Sequence, residues 1–312
     1  MVNFKDIKDL IRIRQWYKGI VIFSGLIFGG KLTDLSVYFP LFIGFFIICL
    51  ASSCNYIYND IRDIEKDKHH KEKCKRPLPS GRLSKRFAIV LLIFLVIFVF
   101  FLSTFIMRFF IDYNSTWRFN LMVLAIFING FLYNIYLKNH AFLDIIALSM
   151  IYIWRTMAGI WILNISFSPW LYILIFQLAM FLSINKRKAD KEFCGEESFK
   201  HKPILLKYTD ELIRTAQNLI TVSLFMTYSV YVIVGPLVGF SGPEITNNRG
   251  FMLFSIPIMM YIILRFLYLT NVKPQIARNP EKAFKDLDLV IAGVILLIFI
   301  FIGNYVKIKW FI

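Results

Sequence analysis

Cysteine is scarce. Only Cys49, Cys54, Cys74 and Cys194 occur, and none forms a Cys-x-x-Cys pair. That excludes a secreted disulfide framework. His69, His70 and Cys74 read as a solvated loop in a reducing compartment rather than a zinc cluster. A small-residue cleavage site is also missing after the first apolar stretch, 19–30, so that stretch reads as a permanent helix and not a cleavable signal. Acidic residues are outnumbered, 20 Asp and Glu against 36 Lys and Arg, for a net charge of +16. Such a balance can mark a nucleic-acid partner. Here the bases lie in loops beside apolar blocks, which argues against nucleic acid and for a membrane surface and anionic ligands.

What the chain has in excess is apolar surface. Hydrophobic residues make up 58% of it, beyond the roughly 45–50% of soluble domains. They come in blocks without charge, such as 90–107 and 290–303. About 20 apolar residues cross the ~30 Å hydrocarbon core, and backbone in lipid must satisfy its own hydrogen bonds. The class is therefore all-α and polytopic. The blocks predict helices near 17–32, 37–59, 87–109, 118–137, 142–163, 169–185, 215–236, 251–270 and 287–306, in one transmembrane domain over 1–312. The Phe-rich faces serve lipid or core. Segment 4–17 alternates charged and apolar residues, as an interfacial amphipathic helix does.

Nine spans with the N-terminus inside put 28 Lys and Arg on the inner side and 6 on the outer. The bias predicts an inner-membrane protein whose N-terminus and long polar loops, about 59–86 and 185–214, face the cytoplasm. No sequence repeat accompanies the four-helix spacing of these loops.

The first loop carries chemistry. Asp60, Asp63 and Asp67 are spaced three and four apart, which places their carboxylates on one face of a helix. Like charges so placed repel unless a cation neutralises them, and Mg²⁺ takes carboxylate oxygens while keeping sites for phosphate. A charged helix end paired with Arg62, Lys66 and Lys68 is the plainer alternative. Lys71, Lys73, Lys75 and Arg76 follow, then the turn Pro77-Leu78-Pro79-Ser80-Gly81-Arg82. Acids to hold a metal followed by bases to hold phosphate suit a metal-diphosphate ligand.

The string Asn59-Asp60-x-x-Asp63-x-x-x-Asp67, with Arg76-Pro77-x-x-Ser80-Gly81 after it, resembles the first aspartate-rich motif of the UbiA-type membrane prenyltransferases. The resemblance implies nine helices around a central cavity, with Mg²⁺ held by Asp60, Asp63 and Asp67. Members that use prenyl diphosphates carry a second aspartate row after helix 6. This chain instead reads Asn185-Lys186-Arg187-Lys188-Ala189-Asp190, similar to the branch of decaprenyl-phosphate phosphoribosyltransferases, which makes the lipid precursor of arabinose donors. Arg14-Gln15-Trp16, Tyr133-Asn134-x-x-Leu137-Lys138, Asp144 with Arg155 and Gly159, and Pro280-Glu281-x-x-Phe284-x-Asp286 resemble that branch too.

The implied reaction moves a 5-phosphoribosyl group from 5-phosphoribosyl 1-diphosphate to a polyprenyl (decaprenyl) phosphate. Asp60, Asp63, Lys138 and Arg155 are the implied catalytic residues. Asn59, Lys73, Arg76, Tyr133, Lys186, Arg187 and Asp190 are the implied substrate contacts. A charge in mid-membrane costs about 2.5–3.5 kcal/mol on insertion scales and usually lines a polar cavity, which is the independent case for Arg155. Its plainer alternative is a structural pair with Asp144. The rival within the family transfers a prenyl group to an aromatic or glycerol-phosphate acceptor, and the basic second motif argues against it. A transporter is the rival from another class. Two polar loops on one side, and no inverted pair of broken helices, argue against that.

Overall fold

The computed structural model describes residues 3–69, 72–194, 203–234 and 249–306. His70, Lys71, residues 195–202, the end of the helix expected to 236, Lys307 and Lys309 lie outside them. The described residues form helices and no strand. Seven helical segments are long and apolar enough to cross a membrane: Leu35–Arg62, Lys85–Phe109, Tyr113–Ile135, Leu143–Leu163, Pro169–Glu192, Asp210–Ile233 and Gly250–Val272. Leu287–Gly303 is a shorter apolar helix. This is the architecture of a multi-pass membrane protein.

The α-helices are α1 (Phe4–Ile11), α2 (Ser24–Phe28), α3 (Tyr38–Arg62), α4 (Ile64–Lys68), α5 (Lys85–Phe101), α6 (Tyr113–Ile135), α7 (Leu143–Leu163), α8 (Pro169–Cys194), α9 (Asp210–Val234), α10 (Arg249–Leu253), α11 (Ser255–Val272), α12 (Pro274–Arg278) and α13 (Leu287–Tyr305). The helix expected over 17–32 is a 3-10 run, Ile13–Phe23, followed by short α2. Gly19, Gly25, Gly29 and Gly30, with β-branched Ile20, Val21 and Ile22 among them, weaken a long α-helix there. The segment expected to be loop from 185 is instead the last turns of α8, which continues to Cys194.

The chain groups into two compact units. Unit 1 takes the described residues of Met1–Gly25, Thr33–Lys138 and Met150–Asn164. Here α3 packs on the 3-10 run, α1, α5 and α6. The packing is close: a Cβ on Gly159 would strike the Ile22 carbonyl oxygen, so only glycine lets α7 approach that backbone. On α5, Ala88, Leu95 and Val99 are buried, while Val90, Ile93, Phe94, Ile97 and Phe101 are exposed. A mostly apolar and mostly exposed helix suits a hydrocarbon solvent and not water.

Unit 2 takes the described residues of Leu26–Leu32, Asn139–Ser149 and Ile165–Ile312. Its core joins Phe181 and Ile184 of α8, Leu224 of α9, Ile263 and Phe266 of α11 and Ile276 of α12. The Tyr305 hydroxyl of α13 donates to the carbonyls of Leu26 and Ile27, at 2.6 and 3.1 Å.

Candidate active site

In unit 1 the helix does not run straight through the acidic row. It breaks at Asp63, with φ −97° and ψ 12°, and restarts as α4. The break divides the three carboxylates. Asp60 and Asp67 are both buried, each with 2% of its surface exposed. They converge on one guanidinium nitrogen: Arg76 Nη1 lies 3.1 Å from Asp60 Oδ1 and 2.8 Å from Asp67 Oδ2. Lys73 Nζ stands 3.3 Å from the other oxygen of Asp67. Arg12 also pairs with Asp60 Oδ1. Asp63 turns away and accepts from Lys138 Nζ at 3.1 Å on both of its oxygens. Among the described residues, no three His, Cys, Asp or Glu side chains converge as a metal cage. Two carboxylates do share one cation position, and Arg76 occupies it.

The turn after Lys75 fixes Arg76. The Ser80 hydroxyl donates to the Arg76 carbonyl at 2.6 Å, and Leu83 N–H donates to the Pro77 carbonyl at 3.0 Å. Gly81 supplies the left-handed residue, φ 76°, that the turn requires. Leu78 and Leu83 are buried and pin the segment. Arg82 reaches Asp6 of α1 at 2.5 Å. Burial pulls the Arg76 guanidinium pKa below its ordinary value, and the neighbouring Arg12 charge pulls the same way, against Asp60 and Asp67. Two guanidiniums therefore crowd one carboxylate.

Arg12 was not singled out from the sequence as a site residue. It ends α1 in a left-handed conformation, φ 57° and ψ 49°, and its guanidinium lies 4.7 Å from the Tyr56 ring centre. A non-glycine residue in that region costs on the order of 1–2 kcal/mol and marks positions that the surroundings over-determine. Its partner Asp60 lies far along the chain, which is why spacing could not find it.

The other unit 1 candidates fall as follows. Arg155, 4% exposed, donates from Nη1 to the Lys18 carbonyl at 3.2 Å and from Nη2 to Ser52 Oγ at 2.8 Å. Its buried Nε has no hydrogen-bond partner. A buried donor left unpaired costs about 1–3 kcal/mol, and functional sites are where such donors are kept. Asn134 is buried on α6. Its amide donates to the Gly130 carbonyl at 2.9 Å, its side-chain oxygen is unpartnered, and its own carbonyl accepts from Arg62 Nη1 at 2.8 Å. Tyr133 is half-buried beside it. The Asn59 carbonyl accepts from Asp63 N–H at 2.9 Å and helps end α3.

Unit 2 holds the second motif. Arg187 does not lie on a loop. It is buried on α8, with Nε and Nη2 each 2.8 Å from Oδ2 of Asp144, a fully buried carboxylate on α7. Tyr208 donates to the other Asp144 oxygen at 2.6 Å. Burial and that bond raise the Tyr208 phenol above its ordinary range. Asp190 lies 3.6 Å from Arg187 Nη1 and 3.3 Å from Arg278 Nε of α12. Asn185 accepts from Gln217 at 2.8 Å. Lys186 is half-buried on the same turns. Asp286 caps α13 and pairs with Arg265 at 2.8 Å. Tyr208, Gln217 and Arg278 are partners that no local pattern could reveal.

The decaprenyl-phosphate phosphoribosyltransferase of Mycolicibacterium smegmatis is 25% identical over 226 residues, 71% of this chain and 68% of that protein. The enzyme of the same name from Mycobacterium tuberculosis H37Rv is 24% identical over 279 residues, 87% and 84% of the two chains. Among solved structures, a UbiA homologue from Archaeoglobus fulgidus bound to GPP and Mg²⁺ superposes with a TM-score of 0.66 at 15% identity, covering 95% of this chain and 98% of that one, which establishes the fold. Residues 20–284 match the UbiA prenyltransferase family, and the chain belongs to it.

Proposed function

We propose that this protein transfers a 5-phosphoribosyl group from 5-phosphoribosyl 1-diphosphate to a polyprenyl phosphate and releases diphosphate. The observation that carries the proposal is the pair of buried carboxylates, Asp60 and Asp67, facing one cation position inside a surplus of bases. The likeness to two decaprenyl-phosphate phosphoribosyltransferases supports the choice of substrates. Oxygen donors of this kind suit a hard divalent ion, so Asp60 and Asp67 would hold Mg²⁺, with Asp63 supporting from the next turn. When bound there, such an ion would supply positive charge against a diphosphate leaving group.

The remaining work falls to the chain. The acceptor is a phosphate monoester with a second pKa near ~6, so at neutral pH its oxygen is already a nucleophile and needs holding rather than deprotonating. That oxygen bonds to the anomeric carbon as the carbon–diphosphate bond breaks, with inversion. Arg12, Lys73, Arg76 and Lys138 already sit against the three carboxylates and can pass hydrogen bonds to phosphate oxygens. The buried, unpartnered Nε of Arg155 is a further donor kept for an anion. Arg187 and Asp190 hold the last turns of α8, which also carry Lys186. With 28 bases against 6, the N-terminus and both polar segments face the cytoplasm, the side where soluble phosphorylated sugars are made.

The test is direct. Purified protein with Mg²⁺ and a polyprenyl phosphate should form a phosphoribosyl lipid from the phosphoribosyl donor. A second reading, prenyl transfer, is favoured by the fold shared with the GPP-bound homologue. A wild type that ignores the phosphoribosyl donor and prenylates an aromatic acid would replace the first reading by the second.

A further inference from the structure

A cleft of about 570 Å³ opens in unit 1 where α1 and the 3-10 run meet the segment leading into Pro77. Six basic side chains line it, Lys5, Lys8, Arg12, Arg14, Lys75 and Arg76, against two acidic ones. Its size lies in the range that encloses a small ligand, about 300–1,000 Å³. A concave surface lined by one sign of charge concentrates the field and recruits the opposite ion. This surplus is not an accident of a loose surface, because both walls are held. Arg82 ties the 76–83 turn to α1 through Asp6, and also donates to the Lys75 carbonyl at 2.5 Å. Arg12 is kept in a left-handed conformation that points its side chain to Asp60.

Two residues belong to both places. Arg12 and Arg76 line the cleft and also touch Asp60. A guanidinium carries five N–H donors in a fixed fork, so each can serve a carboxylate and a phosphate together. An anion in the cleft would lie one guanidinium away from whatever cation the carboxylates hold. We propose that this cleft is a subsite for a phosphate monoester dianion, gripped by Arg12, Arg14, Lys75 and Arg76, beside the Asp60–Asp67 pair. The shared chemistry is the 5-phosphate of the sugar donor or the headgroup of the lipid acceptor. The inference deepens the proposed transfer and rests on the chain handling phosphorylated substrates.

The experiment uses the full chain in phosphatidylcholine nanodiscs. One arm titrates ribose 5-phosphate by calorimetry. The other measures retention of polyprenyl phosphate doped into the disc by native mass spectrometry. The double variant Arg14→Gln, Lys75→Gln removes two cleft charges that do not pair with Asp60 or Asp67. It should weaken one of the two probes by about 10-fold or more, while Mn²⁺ binding read by paramagnetic resonance stays unchanged. Loss in the ribose 5-phosphate arm assigns the cleft to the donor, and loss in the lipid arm assigns it to the acceptor. Binding of both probes as in the wild type overturns the proposal. So does equal loss in the charge-keeping pair Arg14→Lys, Lys75→Arg, because shape rather than charge would then hold the ligand. A protein that binds ribose 5-phosphate through these residues but transfers no phosphoribosyl group would overturn the proposed reaction and leave the cleft standing.

Discussion

Two ion clusters among the described residues, one in each unit, use the same kinds of side chain to opposite ends. In unit 1, Asp60, Asp63 and Asp67 face Arg12, Lys73, Arg76 and Lys138, and the cations are each a fifth to a third exposed. In unit 2, Asp144 and Asp190 face Arg187 and Arg278, and the central pair, Arg187 with Asp144, is sealed from solvent. A sealed, balanced pair cannot trade partners without leaving a bare charge in low dielectric. An open cluster with cations to spare can hand a carboxylate to a metal and a guanidinium to a phosphate. Charge balance and access, more than residue type, separate a structural lock from a site.

The comparison breaks most visibly at Asp144. Replacing it with Ala takes from buried Arg187 the carboxylate that two of its nitrogens meet at 2.8 Å and should cost about 3–5 kcal/mol, read as a fall in the denaturation midpoint of the purified protein. If stability held while turnover vanished, the cluster would be part of the site and not a lock. Asp60→Asn should do the reverse. It keeps the shape and removes a charge, so turnover should drop by about 10²-fold or more with the melting temperature little changed. Excess chelator should do the same to the wild type, and full activity in either case would remove the metal from the account.

Smaller effects sharpen the contrast. Lys186→Ala should raise the requirement for one phosphorylated substrate by about 10–100-fold, and kinetics that vary each substrate in turn would show which. Arg187→Ala should act through stability first, because its nitrogens are committed to Asp144 and Asp190. The smallest effect is expected at Arg12. Arg12→Gly relieves a left-handed backbone, which offsets part of the lost pairing, so stability should shift by no more than about 1 kcal/mol. Its effect should show instead as weaker phosphate binding. A large loss of fold there would make Arg12 a structural residue.

Much of this was legible in the chain itself. Charge-free blocks such as 90–107 could only be membrane helices, because length and hydrophobicity decide that locally. The neighbouring acids and the bases after them were legible as one charged cluster for the same local reason, and the structure brings Asp60 and Asp67 together at Arg76. The first apolar stretch was less legible. Its length suggested a full α-helix, but closely spaced glycines and β-branched residues allowed 3-10 geometry against α3.

Tertiary structure alone decided who pairs with whom. Spacing put Asp60, Asp63 and Asp67 on one face, but the helix breaks at Asp63, so Asp63 goes to Lys138 while Asp60 and Asp67 meet at Arg76. Arg155 had Asp144 as its plausible partner in sequence, yet Asp144 lies against Arg187 and Tyr208, and Arg155 keeps a donor unspent. Arg12 reaches Asp60 across 48 positions. Periodicity and hydrophobicity are properties of neighbours along the chain. Ion pairing is a property of neighbours in space, and it is settled only when packing chooses which side chains share a buried volume.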